Sequence, residues 1–527
     1  MGFRDLPSYL LQFSTWHRVV LSFAFIFLLA LNVPAYPHVS QNNQTDEIRS
    51  LVKKAVKLVR NGSLAEAESL LRHAIELDPK RSEAKVELAY VLVKSRRLLD
   101  AYNICFPVAE REPNNSRAFA VMGAVLLSAG RFTEARGFFG NAIRLNRKEH
   151  LAWAGMGMID FYENKLESSL GYLVKALDIK FDEPDYLFAS AQAAGRLERY
   201  REAADKYELF LAVSSGLDND RRERIKGLIR FLKILGQTGT LYQPGGRDQT
   251  SVPFELVGDR PVIKVRLNDK AEPLRFVLDT GSGISVISEE TAKRFKISAL
   301  TKGGFAKGIG GDGKFQIVYG MLRRVSVGDV SLKNVPVFIR KFQDVNQTMD
   351  GYIGLALISK FLTTIDYGNR TFSLTKKSED KREFRKSDAL SLPLRLTSSG
   401  FLSGEVQLEG LDANLNFIVD TGASISVISN RVAGSEGIRT HVNDEKMRVI
   451  GSAGVTDDVS SFMLPRVTFG THSRKKIKAV ALDLDLINEA SGFEQAGILG
   501  GNFLKNYRLT FDFKNSRVVF ESINPQN

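Results

Sequence analysis

The chain has 527 residues, 43% of them hydrophobic and 25% charged, with a formal net charge of +13. That length predicts two to four domains with cores of their own. The single cysteine, Cys105, excludes an internal disulfide framework and a cysteine-based zinc site. The basic residues are spread along the chain rather than gathered with interleaved aromatics, which speaks against nucleic-acid binding.

Arg4, His17 and Arg18 precede an apolar run, VVLSFAFIFLLALNV, at residues 19–33. Fifteen residues are short for a spanning helix and suit the core of a signal peptide, with small residues following near Ala35. Residues 1–36 are therefore expected to be a signal peptide or membrane anchor. The chain is expected to be exported, as a periplasmic or membrane-anchored extracytoplasmic protein.

The next region declares itself by period. Ala67, Ala101, Ala135, Ser169 and Ala203 are each 34 residues apart, and Leu64, Leu98, Phe132, Leu166 and Tyr200 follow the same spacing three positions earlier. Helical apolar patterns alternate with turns such as Asn61-Gly62-Ser63 and Gly130-Arg131. Cys105 falls on an apolar helical position, where it acts as a small buried hydrophobe. A 34-residue helix–turn–helix period with a small residue at the crossing resembles the tetratricopeptide repeat, here in five units. The resemblance implies an all-α solenoid over 46–236, with a protein or peptide partner on its concave face. Residues 221–235 read as a final amphipathic helix, and the Gly-, Thr- and Gln-rich stretch 237–253 as a linker.

Strand-like alternation then begins. Two units, 254–375 and 390–522, are joined by a charged connection at 376–389. Each carries nearly the same phrase: FVLDTGSGISVIS at 276–288 and FIVDTGASISVIS at 417–429, identical at nine of thirteen positions. In each, an apolar strand breaks at Asp-Thr-Gly, which places Asp279 or Asp420 on a tight turn leaving a rigid core. Gly281 and Gly422 free the backbone there, and Thr280 and Thr421 can hydrogen-bond across an interface. Ser282 aligns with Ala423, so the halves are not interchangeable. Each unit also has a Gly-bearing stretch (Gly308, Gly310 and Gly311; Gly451 and Gly454) and a later apolar pair before glycine (Ile353-Gly354; Leu499-Gly500).

One aspartate at a turn means little, but two in matching frameworks can face each other. Carboxyls about 3 Å apart cannot both ionise, so the pair shares a proton. The ionised partner then serves as base toward a water, and the protonated one polarises a carbonyl. That chemistry needs no cofactor and no metal, and none of the six histidines forms an HExxH or other close metal pair. GIGGDG at 308–313 satisfies GxGxxG, but a strand pattern follows it where a dinucleotide site needs a helix.

Each half resembles the retroviral-type (retropepsin-like) aspartic protease unit, through Asp279-Thr280-Gly281-Ser282 and Tyr352-Ile353-Gly354 in one half and Asp420-Thr421-Gly422-Ala423 and Ile498-Leu499-Gly500 in the other. Tyr352 stands where a small aliphatic is usual. The resemblance implies two mostly-β units sharing one cleft, catalytic Asp279 and Asp420, flaps carrying the Gly-rich stretches, and an aspartic endopeptidase acting on a protein or peptide. Two alternatives remain at this level: a non-catalytic binding protein that keeps the fold, or halves that each pair with another chain.

Overall fold

The computed structural model describes residues 41–214, 219–310, 314–342, 349–377 and 390–523. The expected signal segment at 1–36 and most of the charged connection at 376–389 lie outside those residues. The chain divides into two compact units, one ending at Pro113 and the other beginning at Asn114.

The first unit holds helices α1 (Gln41–Arg60), α2 (Leu64–Leu77), α3 (Ser82–Lys94) and α4 (Leu98–Arg111). The second opens with α5 (Ser116–Ser128), α6 (Phe132–Leu145), α7 (His150–Tyr162), α8 (Leu166–Ile179), α9 (Pro184–Arg196), α10 (Tyr200–Val213) and α11 (Asn219–Gln237). The 34-residue period is literal: α2, α4, α6, α8 and α10 each have 14 residues and start on the recurring Leu64, Leu98, Phe132, Leu166 and Tyr200. The small residue three positions on is fully buried in all five copies. Glycine is required elsewhere in the stack too, because a Cβ on Gly123 or Gly155 would lie 2.6 or 2.2 Å from the Phe139 ring. The turn before each of these helices holds a left-handed residue: Gly62, Arg96, Gly130, Asn164 and Glu198, with φ between +59° and +83°. A left-handed conformation costs a residue other than glycine about 1 kcal/mol or more. Helix packing therefore sets this turn, and the local residue only tolerates it.

Two β lobes follow, with a nine-stranded and an eight-stranded sheet. In the first, strand Leu274–Leu278 runs into Asp279, and Gly351–Ile353 lies parallel beside it, pairing Gly351 with Phe276 and Ile353 with Leu278. In the second, Leu415–Val419 runs into Asp420 and Gly497–Leu499 lies parallel, pairing Gly497 with Phe417 and Val419 with Leu499. The Gly–Phe pairs are obligatory: a Cβ on Gly351 or Gly497 would meet the Phe276 or Phe417 ring at 2.3 or 2.2 Å.

A third, six-stranded sheet joins the lobes. Phe361–Asp366 of the first half runs antiparallel to Tyr507–Asp512 of the second, with Thr363 opposite Phe511 and Asp366 opposite Arg508. The two halves thus pair within one chain. The stretch 237–253, expected as a linker, instead supplies strands to both layers. Gln243–Gly246 pairs with residues 330–333 of the first lobe, and Gln249–Pro253 forms an edge of the joining sheet. Its turn-forming residues masked short edge strands whose partners are far away in sequence.

The helices of the second unit are seated on both lobes. Phe493 of the second lobe packs edge-on, 4.9 Å from the rings of Phe132 and Tyr162. Half-buried Arg196 lies over the Phe161 ring and donates from Nη2 to the carbonyls of Thr397 and Ser398. Burial pulls its pKa down to about 10, so it stays charged at neutral pH. Helix α11 does more than close the stack. It lies along strand Ala299–Lys307 of the first lobe, with Phe231 stacked on Tyr319 at 4.2 Å and Arg230 Nη2 donating to Lys302 O at 3.0 Å. A Cβ on Gly227 would come within 2.3 Å of Gly303 Cα. Gly227→Val should therefore destabilise the protein by about 1–3 kcal/mol, the usual penalty of overpacking. Amide hydrogen exchange should quicken across 299–307 and stay unchanged in α6 and α7. Unaltered exchange in that strand would show that helix and strand are merely adjacent.

Candidate active site

The two Asp-Thr-Gly turns are anchored alike. Asp279 N–H donates to Ile353 O and Asp420 N–H to Leu499 O, both at 3.0 Å. Gly354 and Gly500 N–H donate to Ser285 Oγ and Ser426 Oγ, both at 3.1 Å. Leu355 and Gly501 N–H donate to Ser282 O and Ala423 O at 2.8 and 2.7 Å. A Cβ on Gly354 or Gly500 would sit 2.7 or 2.6 Å from the backbone of Ile284 or Ile425. The apolar-Gly motif is thus the rear support of each aspartate turn.

Between the lobes the threonines cross. Thr280 Oγ1 donates to Val419 O at 2.6 Å and Thr421 Oγ1 donates to Leu278 O at 2.7 Å. Each hydroxyl also accepts the other threonine's N–H, at 3.0 and 3.2 Å. Both side chains are fully buried. Four hydrogen bonds thereby join the two turns, and one from each reaches the strand that bears the opposite aspartate.

This lock brings the carboxyls together. A Cβ on Gly281 would be 2.4 Å from Asp420 Cγ, and one on Gly422 would be 2.7 Å from Asp279 Cγ. Each glycine is therefore the floor for the opposite carboxyl. Asp279 and Asp420 hydrogen-bond to one another, and Gly422 N–H donates to Asp420 Oδ1 at 2.7 Å. Burial raises the pKa of Asp279 well above the carboxylate range, and the charge of Asp420 raises it further. Burial also raises Asp420, but the Gly422 N–H and the bond from Asp279 pull it back. The pair titrates as a unit and shares one proton.

Two hairpins, Ala299–Lys307 with Lys314–Val327 and Val442–Ile450 with Val455–Phe469, carry the Gly-rich stretches and meet each other. Ala453 N–H donates to Ile309 O at 2.8 Å and Ile309 N–H to Ser452 Oγ at 3.2 Å. A Cβ on Gly310 would lie 2.2 Å from Gly454 O, one on Gly308 2.2 Å from Ser452 Oγ, and one on Gly451 2.2 Å from Ile309 O. Gly311 lies outside the described residues. Ile309 crosses to the second lobe and packs with Ala423 and Ile425 against the cluster of Ile418, Val427 and Ile498. This places the hairpin contact above the aspartate turns. The stretch after 308–313 is a strand from Lys314, so GxGxxG here opens no helix. Among the described residues no group of three or more His, Cys, Asp or Glu is placed to hold a metal.

Residues 263–357 and 404–503 match the aspartyl protease family, and 58–125 match the tetratricopeptide repeat family. The chain carries an aspartyl protease domain in two segments. Tetratricopeptide repeats precede it. Among solved structures the chain is similar to a thermophilic tetratricopeptide-repeat protein of Thermus thermophilus, at 19% identity and TM-score 0.30, over 34% of this chain and 98% of that one. It is also similar to pilF of Pseudomonas aeruginosa, at 19% identity and TM-score 0.28, over 37% of this chain and 88% of that one. No curated protein matches the sequence.

The aspartyl protease domain uses residues that the sequence signals and a few that its motifs do not single out. Ser285 and Ser426 occur in both copies of the repeated phrase, which was the available signal. Arg340, which acts on Asp279 through its charge, has no counterpart motif and no signal of that kind. The crossed threonines set the strongest expectation for this site. Thr280→Ala or Thr421→Ala strands a buried N–H and a buried carbonyl, so each should destabilise the protein by about 1–3 kcal/mol in denaturant melts. The double variant should lose less than the sum, because all four bonds belong to one network. Full additivity would mean the two threonines act independently.

Proposed function

We propose that this protein is an aspartic endopeptidase, with its cleft formed by both lobes and its helical repeats recruiting a protein or peptide partner. The observation that carries the reading is the hydrogen-bonded Asp279–Asp420 pair, with raised pKa values, beneath two touching hairpins. Asp420, ionised, accepts a proton from a water as its oxygen attacks the scissile carbonyl carbon. Asp279 donates its proton to the carbonyl oxygen, and a gem-diol results. Return of a proton to the amide nitrogen lets the C–N bond break, giving an acid and an amine and restoring one proton to the pair. An extended peptide would pair its backbone with the hairpins as an added strand does. The apolar segment at 19–33 supports an exported protein, periplasmic or membrane-anchored.

The test is cleavage of a mixed peptide library. Asp279→Asn and Asp420→Asn should each lower kcat/KM by about 10²–10⁴-fold or more, since each removes an acid–base partner. Full activity in either variant would overturn the shared pair, and a binding role would stand in its place if the wild type cleaved nothing at acid or neutral pH.

The raised pKa of Asp279 also has a consequence for stability. A carboxyl held above its unfolded value of about 3.9 favours the fold when protonated. That stabilisation is complete below the unfolded value and is lost as pH rises through the folded one. Asp279→Asn, neutral at every pH, should therefore raise Tm at pH 7 and lose that advantage toward pH 4. A Tm difference that does not vary with pH would show Asp279 to be unshifted.

A further inference from the structure

Arg340 ends the strand Val330–Arg340 on the first-lobe side of the cleft. Its guanidinium lies over the Phe315 ring, 5.2 Å from the centroid, and over the Phe342 ring at 5.7 Å. Phe342 in turn meets Tyr352 edge-on at 5.2 Å, and Tyr352 pairs with Val277 two residues before Asp279. A wall of three rings and one cation thus rises from the aspartate turn to the hairpin.

The polar partners of this cation are few. Among the described residues it forms no ion pair, and its one hydrogen bond runs from Nη1 to Ser452 O, at 3.0 Å, on the second-lobe hairpin. Its Nε is buried without a partner. A buried, charged donor left unmatched is costly, and structural arginines are normally matched by a carboxylate. Aromatic rings hold a guanidinium by its faces and leave its edge free, and that edge takes a carboxylate with two parallel hydrogen bonds. Entry of any peptide must also part the hairpins at Ile309 and Ala453, which takes Ser452 O away from Nη1. An open cleft would therefore present a half-buried cation whose edge has lost its one acceptor and whose Nε has none.

We propose that Arg340 is a specificity-determining residue that receives the carboxylate of an acidic substrate side chain close to the scissile bond. The inference rests on the endopeptidase reading, and it names a substrate class that the reading alone leaves open. Tyr352 and Phe342 form the apolar sides of the same subsite. Without Arg340, an acidic side chain there would face the singly charged aspartate pair and be repelled.

The experiment uses matched peptides that differ only by Glu or Gln, scanned through the positions around the cleaved bond. Cleavage is measured with the full-length wild type, Arg340→Gln and Arg340→Lys, and binding with Asp279→Asn and Asp279→Asn/Arg340→Gln by fluorescence anisotropy. At one position the wild type should prefer Glu over Gln by about 10- to 100-fold in kcat/KM, the range of a charged hydrogen bond. The preference should reverse in Arg340→Gln and return in part in Arg340→Lys. A wild type with no Glu preference at any position, in cleavage or in binding, overturns the inference even if the Arg340 variants do not fold. An equal loss for both peptides, leaving their ratio unchanged, also overturns it and makes Arg340 a latch for the hairpin. Glu-selective binding that needs Arg340, without any cleavage, upholds the subsite and overturns the endopeptidase reading instead.

Discussion

Two carboxyl groups brought into contact repel as soon as both are ionised, and much of the structure in this half of the chain exists to hold them there. The forces are visible in pairs. Crossed threonine bonds fix the two turns from behind. Glycines at 281 and 422 remove the atoms that would keep each turn away from the opposite carboxyl. The joining sheet fixes the lobes to one another with strands from both. Burial disfavours ionisation of both carboxyls, and the charge of Asp420 adds to this at Asp279, so the pair keeps a proton between them.

Six of the nine identical positions in the repeated phrase have a definite task. Phe276 and Phe417 fill the space left by a paired glycine. The Asp, Thr and Gly supply the carboxyl, the cross-lobe bonds and the clearance. Ser285 and Ser426 hold the glycine behind the turn. The closing Ser288 and Ser429 cap the short helices that follow, accepting from Thr291 N–H and Val432 N–H. Identity between the copies thus marks a task performed once on each side. The differing positions belong to the unequal walls: Ser282 Oγ donates to Ile284 O, a bond that Ala423 cannot form.

What could be read in the sequence was whatever depends on short-range pattern. The 34-residue period gave the helices because each helix pair needs a small residue at a fixed place, and that need survives drift at other positions. The Asp-Thr-Gly turns and the apolar-Gly motifs were legible because they require particular atoms. The strands at 243–246 and 249–253 were not, since residues typical of turns become strands there only by pairing with partners far away in the chain, Gln243 with Lys333 and Gln249 with Thr375. Arg340 escaped notice because an arginine acquires meaning from three rings and a hairpin gathered in space. The seating of α11 was hidden too: its amphipathic pattern says that one face is covered, and only the fold says by what.

The joining sheet also sets an order of events. Strand Leu390–Pro393 pairs with residues 517–520, and Phe361–Asp366 pairs with residues 508–511. A nascent chain reaching only residue 500 already contains both aspartates, both threonines and both hairpins, yet the strands that clasp one lobe to the other have not been made. Contacts of such long sequence separation carry a larger loop-closure cost than the local elements they connect. The carboxyl pair thus rests on a clasp that the last part of the chain supplies, and a chain stopped at residue 500 carries the parts of the site without the sheet that joins its two halves.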